Sequence, residues 1–114
     1  MRRDDAYLLD ILLAAQKARQ FLEGMTWADF QQSELHQNAV MHPLTIIGEA
    51  AARISQGTRD AHPEIPWTMM TGMRNRLTHE YFRVNLAVVW ETVQTDLTDL
   101  IAQIAPLVPP DDGD

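Results

Sequence analysis

From Leu86 to Ile104 the apolar residues Leu86, Val89, Val93, Leu97, Leu100, Ile101 and Ile104 recur at three- and four-residue intervals, the repeat that lines one face of an α-helix. Such a stripe must be covered by other elements. Nowhere does the chain alternate with period two for long enough to build a sheet that could cover it. The covering elements are therefore helices, and the chain reads as an all-α, roughly antiparallel up-and-down bundle of four main helices.

The other helices announce themselves less strongly. Asp4 or Asp5 caps a first helix with Leu8, Leu9, Ile11, Leu12, Ala15 and Leu22 inward, and Gly24 ends it. Thr26 and Asp29 have the spacing of a capping box for a short helix through about Gln32. Ser33 caps a third, from about Glu34 to Ser55, with Val40, Leu44, Ile47, Ala51 and Ile54 on its buried stripe. Pro43 falls inside it and predicts a kink or break near Ala39 to Pro43. Gly57 reads as a stop, followed by a connector from Thr58 to Pro66. Pro66 suits the first position of a helix running from Trp67 to about His79, with Trp67, Met70, Met73 and Leu77 inward. Asn85 caps the last helix.

At 114 residues the chain is sized for one domain. Residues 1–105 form it, and Pro106, Pro109 and Pro110 with an acidic end read as a flexible tail over 106–114. No apolar run is long enough to span a bilayer, and the first residues make a poor export signal. With no cysteine there is neither a disulfide nor a thiolate metal site, and a cytoplasmic location is the default. The net charge of −7 argues against a broad electrostatic grip on nucleic acid. Positive charge is local. The stretch Arg74-Asn75-Arg76-Leu77-Thr78-His79-Glu80-Tyr81-Phe82-Arg83 holds three of the nine basic residues, and no lysine or arginine follows it.

These ten residues carry the chain's reactive chemistry, and their spacing poses a geometric problem. At about 100° per residue, Arg74 and Tyr81 share a helical face, whereas His79 lies about 140° from Arg74. The three groups meet around one ligand only if the helix ends near His79 and the chain turns, or if a second copy of the chain completes the site. A structural reading of the same residues is also available. Arg76 and Glu80 are spaced for a surface ion pair, His79 suits a helix C-terminus, and Tyr81 could anchor a half-buried surface. A metal site is not expected. His36 and His42, near Glu34 and Glu49, are six residues apart instead of the four that place two ligands on one face, and His62 precedes Pro63 in a connector.

The spacing Arg-x4-His-x-Tyr at Arg74, His79 and Tyr81 resembles the signature of the HEPN superfamily, and within it the HepT toxins. The likeness continues through Ile46-Ile47-Gly48-Glu49-Ala50, His62-Pro63-Glu64-Ile65-Pro66-Trp67, Gly72-Met73-Arg74-Asn75 and Val88-Val89-Trp90-Glu91, in that order. It covers roughly residues 40 to 100 well and the rest loosely, with Ser33 to Asn38 a poor match and Asn85 where relatives often carry aspartate.

The resemblance implies the HEPN bundle as a dimer, and a metal-independent endoribonuclease without cofactor. Arg74 and His79 would be catalytic, with Asn75 and Glu49 in support and Arg76 and Arg83 contacting RNA. Glu49 is expected as a buried partner of Arg74 or Arg53. The implied partners are an RNA substrate, a second copy of the chain, and a minimal nucleotidyltransferase (MNT) antitoxin that transfers AMP to Tyr81. The competing reading is a non-catalytic HEPN module that binds nucleotides or proteins.

Overall fold

A computed structural model describes residues 2–73, 78–80 and 83–110. Helix α1 (Arg2–Phe21) is followed by α2 (Trp27–Gln31), α3 (Glu34–Ala52), α4 (Gln56–Ala61) and α5 (Trp67–Thr71). A short antiparallel pair, β1 (Thr78–Glu80) with β2 (Arg83–Val84), comes next. The last helical stretch begins as α6 (Leu86–Glu91), passes through a π-helical segment (Thr92–Asp96), continues as α7 (Leu97–Ile104) and ends in a 3-10 turn (Ala105–Leu107). The class is all-α, as the periodicity requires.

The core forms where α1, α3, α5 and the last stretch turn their apolar stripes toward one another. Ile11, Ala15, Val40, Leu44, Ile47, Met70, Met73, Val89, Val93, Leu97 and Ile104 are fully buried. Burying each valine, leucine, isoleucine or methionine of this set contributes about 1.5–3 kcal/mol relative to leaving it exposed. Phe30 of α2 stacks against Trp27 and Trp90, with ring centroids 6.3 and 5.4 Å away, and so fixes α2 to the start of the last stretch. Leu107 and Val108, at the head of the expected tail, pack against the core.

Capping follows the sequence closely. Thr26 and Asp29 exchange backbone-to-side-chain bonds of 3.1 Å each, Ser33 Oγ accepts from the His36 amide, and Asn85 Oδ1 accepts from the Val88 amide at 3.2 Å. Gly24 supplies the positive φ of 81° that ends the first helical unit, a conformation costly for any residue with a Cβ.

Leu9, expected inward on α1, is exposed, and four expectations about where elements begin, end or break need correction. Helix α1 starts before Asp4, whose carboxylate caps a different element: it accepts from the Ser55 amide and hydroxyl at 3.1 and 2.6 Å and from the Thr58 hydroxyl at 2.6 Å. The stretch around Gly57 is helical. Ser55 accepts from the Thr58 amide at 3.3 Å, and Arg59 binds the Ala51 and Ile54 carbonyls at the end of α3, so a cap and a side-chain clamp outweigh the glycine. Pro43 does not break α3. Its ring is buried beside α1, so packing outweighs the lost amide.

The fourth correction bears on the chemistry. The helix that opens at Trp67 is capped at Gly72, and by Thr78 the backbone is extended, so it does not reach His79. The β-branched Thr78 and Val84, which face each other across the pair, favour this extended form.

The π-helical segment had no counterpart in the periodicity. A π turn lengthens each hydrogen-bonded loop by one residue and disturbs the carbonyl pairing of the helix. Here the Arg19 guanidinium, reaching over from α1, donates to the Val93 and Gln94 carbonyls at 3.0 and 3.2 Å. The Thr98 hydroxyl adds a bond of 3.0 Å to Gln94. Thr92 lies fully buried in the same segment, and its hydroxyl has no hydrogen-bond partner among the described residues.

Candidate active site

Of the sequence-predicted residues, Arg74, Asn75, Arg76 and Tyr81 lie outside the described residues. His79 and Arg83 are placed by the β pair. Its register sets Thr78 opposite Val84 and Glu80 opposite Arg83, with an irregularity between Thr78 and Glu80. Two residue steps on β1 thus oppose one on β2, which makes His79 the extra residue of a bulge. Bulges disrupt the ladder locally, re-aim the chain and occur often beside active sites.

The elements on either side of this stretch are firmly held. On the N-terminal side, Trp67 begins α5 almost fully buried, and its indole donates to the His62 carbonyl at 2.9 Å. Met70 of that helix and Met73 just beyond its cap are fully buried in the core. On the C-terminal side, the Asn85 cap starts α6 directly after β2, and Val89 and Trp90 bring it against the core and α2. The histidine-bearing stretch is therefore suspended between two anchored helices.

Glu49 departs from its expected setting. It is exposed on α3, and its backbone carbonyl, not its carboxylate, accepts from Arg53, at the long distance of 3.5 Å. The reason is its position one residue past Gly48: Gly48 sits against α5, and a step of about 100° carries Glu49 off that contact. It is not a buried partner of Arg53.

The remaining histidines have structural surroundings. His36 Nδ1 lies 2.5 Å from the Ser33 hydroxyl. His62 Nδ1 lies 3.7 Å from a Glu64 carboxylate oxygen, while its carbonyl serves Trp67. His42 is exposed beside Pro43. Among the described residues no group of three or more histidine, aspartate or glutamate side chains is placed to hold a metal ion, and no helix is long and apolar enough to cross a membrane.

Comparison with known proteins points the same way as the motif. Residues 11–107 match the family described as ribonuclease HepT-like. The chain is 40 % identical over 94 residues to a protein from Thermococcus cleftensis described as a ribonuclease HepT, covering 82 % of this chain and 86 % of that one. It is 32 % identical over 108 residues to a protein described as an RNase from Caldanaerobacter subterraneus, covering 95 % and 96 %, and 32 % identical over 99 residues to another so described from Methanocaldococcus jannaschii, covering 87 % and 91 %. No solved structure matches the chain. The family match spans nearly the whole bundle, both helices that flank the histidine-bearing stretch included, and the chain belongs to the HepT-like family of ribonucleases.

Proposed function

We propose that the chain is the toxin of a HepT/MNT toxin–antitoxin pair, cutting RNA without a metal at a site built from Arg74 to Arg83. Endoribonuclease activity comes with the family; the rest is a reading of these residues. His79 moves protons, because an imidazole titrates near neutrality. Arg74 presents a planar fork of donors to the phosphate as charge grows on it. Asn75 and Glu49 orient these groups, and Arg76 and Arg83 hold neighbouring phosphates in an otherwise acidic chain. In the cleavage step the ribose 2'-oxygen bonds to phosphorus as the bond from phosphorus to the 5'-oxygen breaks. One imidazole takes the 2'-hydroxyl proton and another gives a proton to the leaving oxygen. One chain supplies a single histidine in the motif, so a homodimer that pairs two motifs supplies both.

The observation that best supports this reading is the bulge at His79, which sets the histidine apart from the regular ladder on a short β pair held between anchored helices. The decisive experiment compares wild type, His79→Ala and Arg74→Ala in an RNA cleavage assay with EDTA present. Each substitution should lower the rate by about 10²- to 10⁴-fold with the melting temperature unchanged. Cleavage that stops in EDTA and returns with added divalent metal would overturn the mechanism, and full activity in His79→Ala would overturn the site. Neutralisation has its own test. A cognate nucleotidyltransferase with ATP should add AMP mass at Tyr81, placing negative charge and an adenosine where the substrate phosphate must sit. Tyr81→Phe should accept none there.

A further inference from the structure

We infer that Gly48 is a positioning residue for RNA cleavage: its missing side chain sets the height at which α5 delivers the chain to Arg74. The inference rests on the reading that Arg74 and His79 carry the reaction. Gly48 is buried in α3, facing the C-terminal end of α5, and a Cβ built there would lie 3.2 Å from the Met70 carbonyl oxygen and 4.0 Å from that of Thr71. The nearer contact is backbone, so it cannot be relieved by a rotamer change. Helix α5 would have to move by a few tenths of an ångström.

The contact bears on one end of the helix. The N-terminal end is fixed by buried Trp67, by the indole bond to the His62 carbonyl at 2.9 Å, and by the amide bond from Trp67 to the Ile65 carbonyl at 2.8 Å. The crowded carbonyls belong to Met70 and Thr71 at the C-terminal end, so displacement falls there first, and Arg74 follows Thr71 by three residues. His79 lies beyond, on a β pair leading directly into the separately capped α6. A methyl group at position 48 thus shifts the end of α5 that leads toward Arg74 in the sequence against the strand that carries His79. A misplacement of about 1 Å in an active site costs on the order of 100-fold in rate, so a few tenths should cost about three- to tenfold.

Folding responds differently. Alanine is the better residue in a helix interior, which offsets much of the crowding. Gly48→Ala should thus stay folded and melt within about 5 °C of wild type. The experiment measures kcat, KM and melting temperature for wild type, Gly48→Ala, Ile47→Val and His79→Ala, well below every transition. Ile47, the fully buried neighbour on the same helix, tests whether core damage alone slows cleavage. The expected result is a three- to tenfold loss of kcat in Gly48→Ala with KM nearly unchanged, and wild-type kcat in Ile47→Val. Wild-type kcat in Gly48→Ala, equal loss in Ile47→Val, or a Gly48→Ala chain that does not fold would each overturn the inference. A cleaving His79→Ala would instead overturn the underlying assignment of the site.

Discussion

Replacing Arg19 by methionine removes the guanidinium that serves the π-helical segment while keeping a side chain of similar length along α1. Two hydrogen bonds are lost, at 3.0 Å to Val93 and 3.2 Å to Gln94. Bonds to a charged group contribute about 1.5–3 kcal/mol each. Arg19 is only half-buried, so water can serve the freed carbonyls in part, and roughly half of the summed value is the better expectation, about 2 kcal/mol. For a domain of this length that corresponds to a fall in melting temperature of about 8 °C. Urea unfolding should show a lower midpoint with an unchanged slope, since the surface exposed on unfolding is nearly the same. Arg19→Lys, which brings one compact donor group in place of the fork, should recover about half of the loss. If Arg19→Met melts within about 1 °C of wild type, the guanidinium is not what supports the π segment.

Thr92→Val replaces a buried hydroxyl that has no partner among the described residues by a group of the same shape, and should raise stability by about 1 kcal/mol; a lower urea midpoint would show that the hydroxyl is satisfied after all. Trp67→Phe deletes the indole bond to His62 and should cost about 1 kcal/mol in the same assay. The Asp4 carboxyl is held below its ordinary value of 3.8, first by the Ser55 hydroxyl and then by that of Thr58. Its contribution is therefore present above pH of about 3.8 and lost as the pH falls through the lower folded value. Asp4→Asn should lower the melting temperature by a few degrees at pH 7, with the gap to wild type closing in strong acid; a gap constant with pH would contradict this.

The fold was legible wherever a local signal and the global packing agreed. Asn85, Ser33 and the pair Thr26 and Asp29 each cap the helix that their spacing announced, and Val89, Val93, Leu97, Leu100 and Ile104 of the last stripe are buried as its period required. Reading failed where a distant side chain decided a local structure. Gly57 signals a stop, yet Asp4, 51 residues before Ser55, and Arg59 stabilise a helix through it. Pro43 is carried by its burial beside α1. The π segment depends on Arg19, 74 residues away from Val93, and no periodicity encodes such a contact. At the motif, the cap at Gly72 and the bulge at His79 depend on tertiary packing and strand pairing that a ten-residue window does not display. Gly48 was visible as part of a shared segment, but its role emerges only from the carbonyl of Met70 lying against it.

The placement of the tryptophans has an optical consequence. Trp67 begins the helix leading into the histidine-bearing stretch, and Trp90 lies in the helix leading out, 6.0 Å from Trp27. Indole emission depends on the polarity and rigidity of its surroundings, and the closeness of Trp27 and Trp90 allows excitation to pass between them. A ligand bound between these two helices would change the surroundings of both. The native chain thus carries its own fluorophores on either side of the motif stretch, and ligand binding there can be followed without attaching a dye.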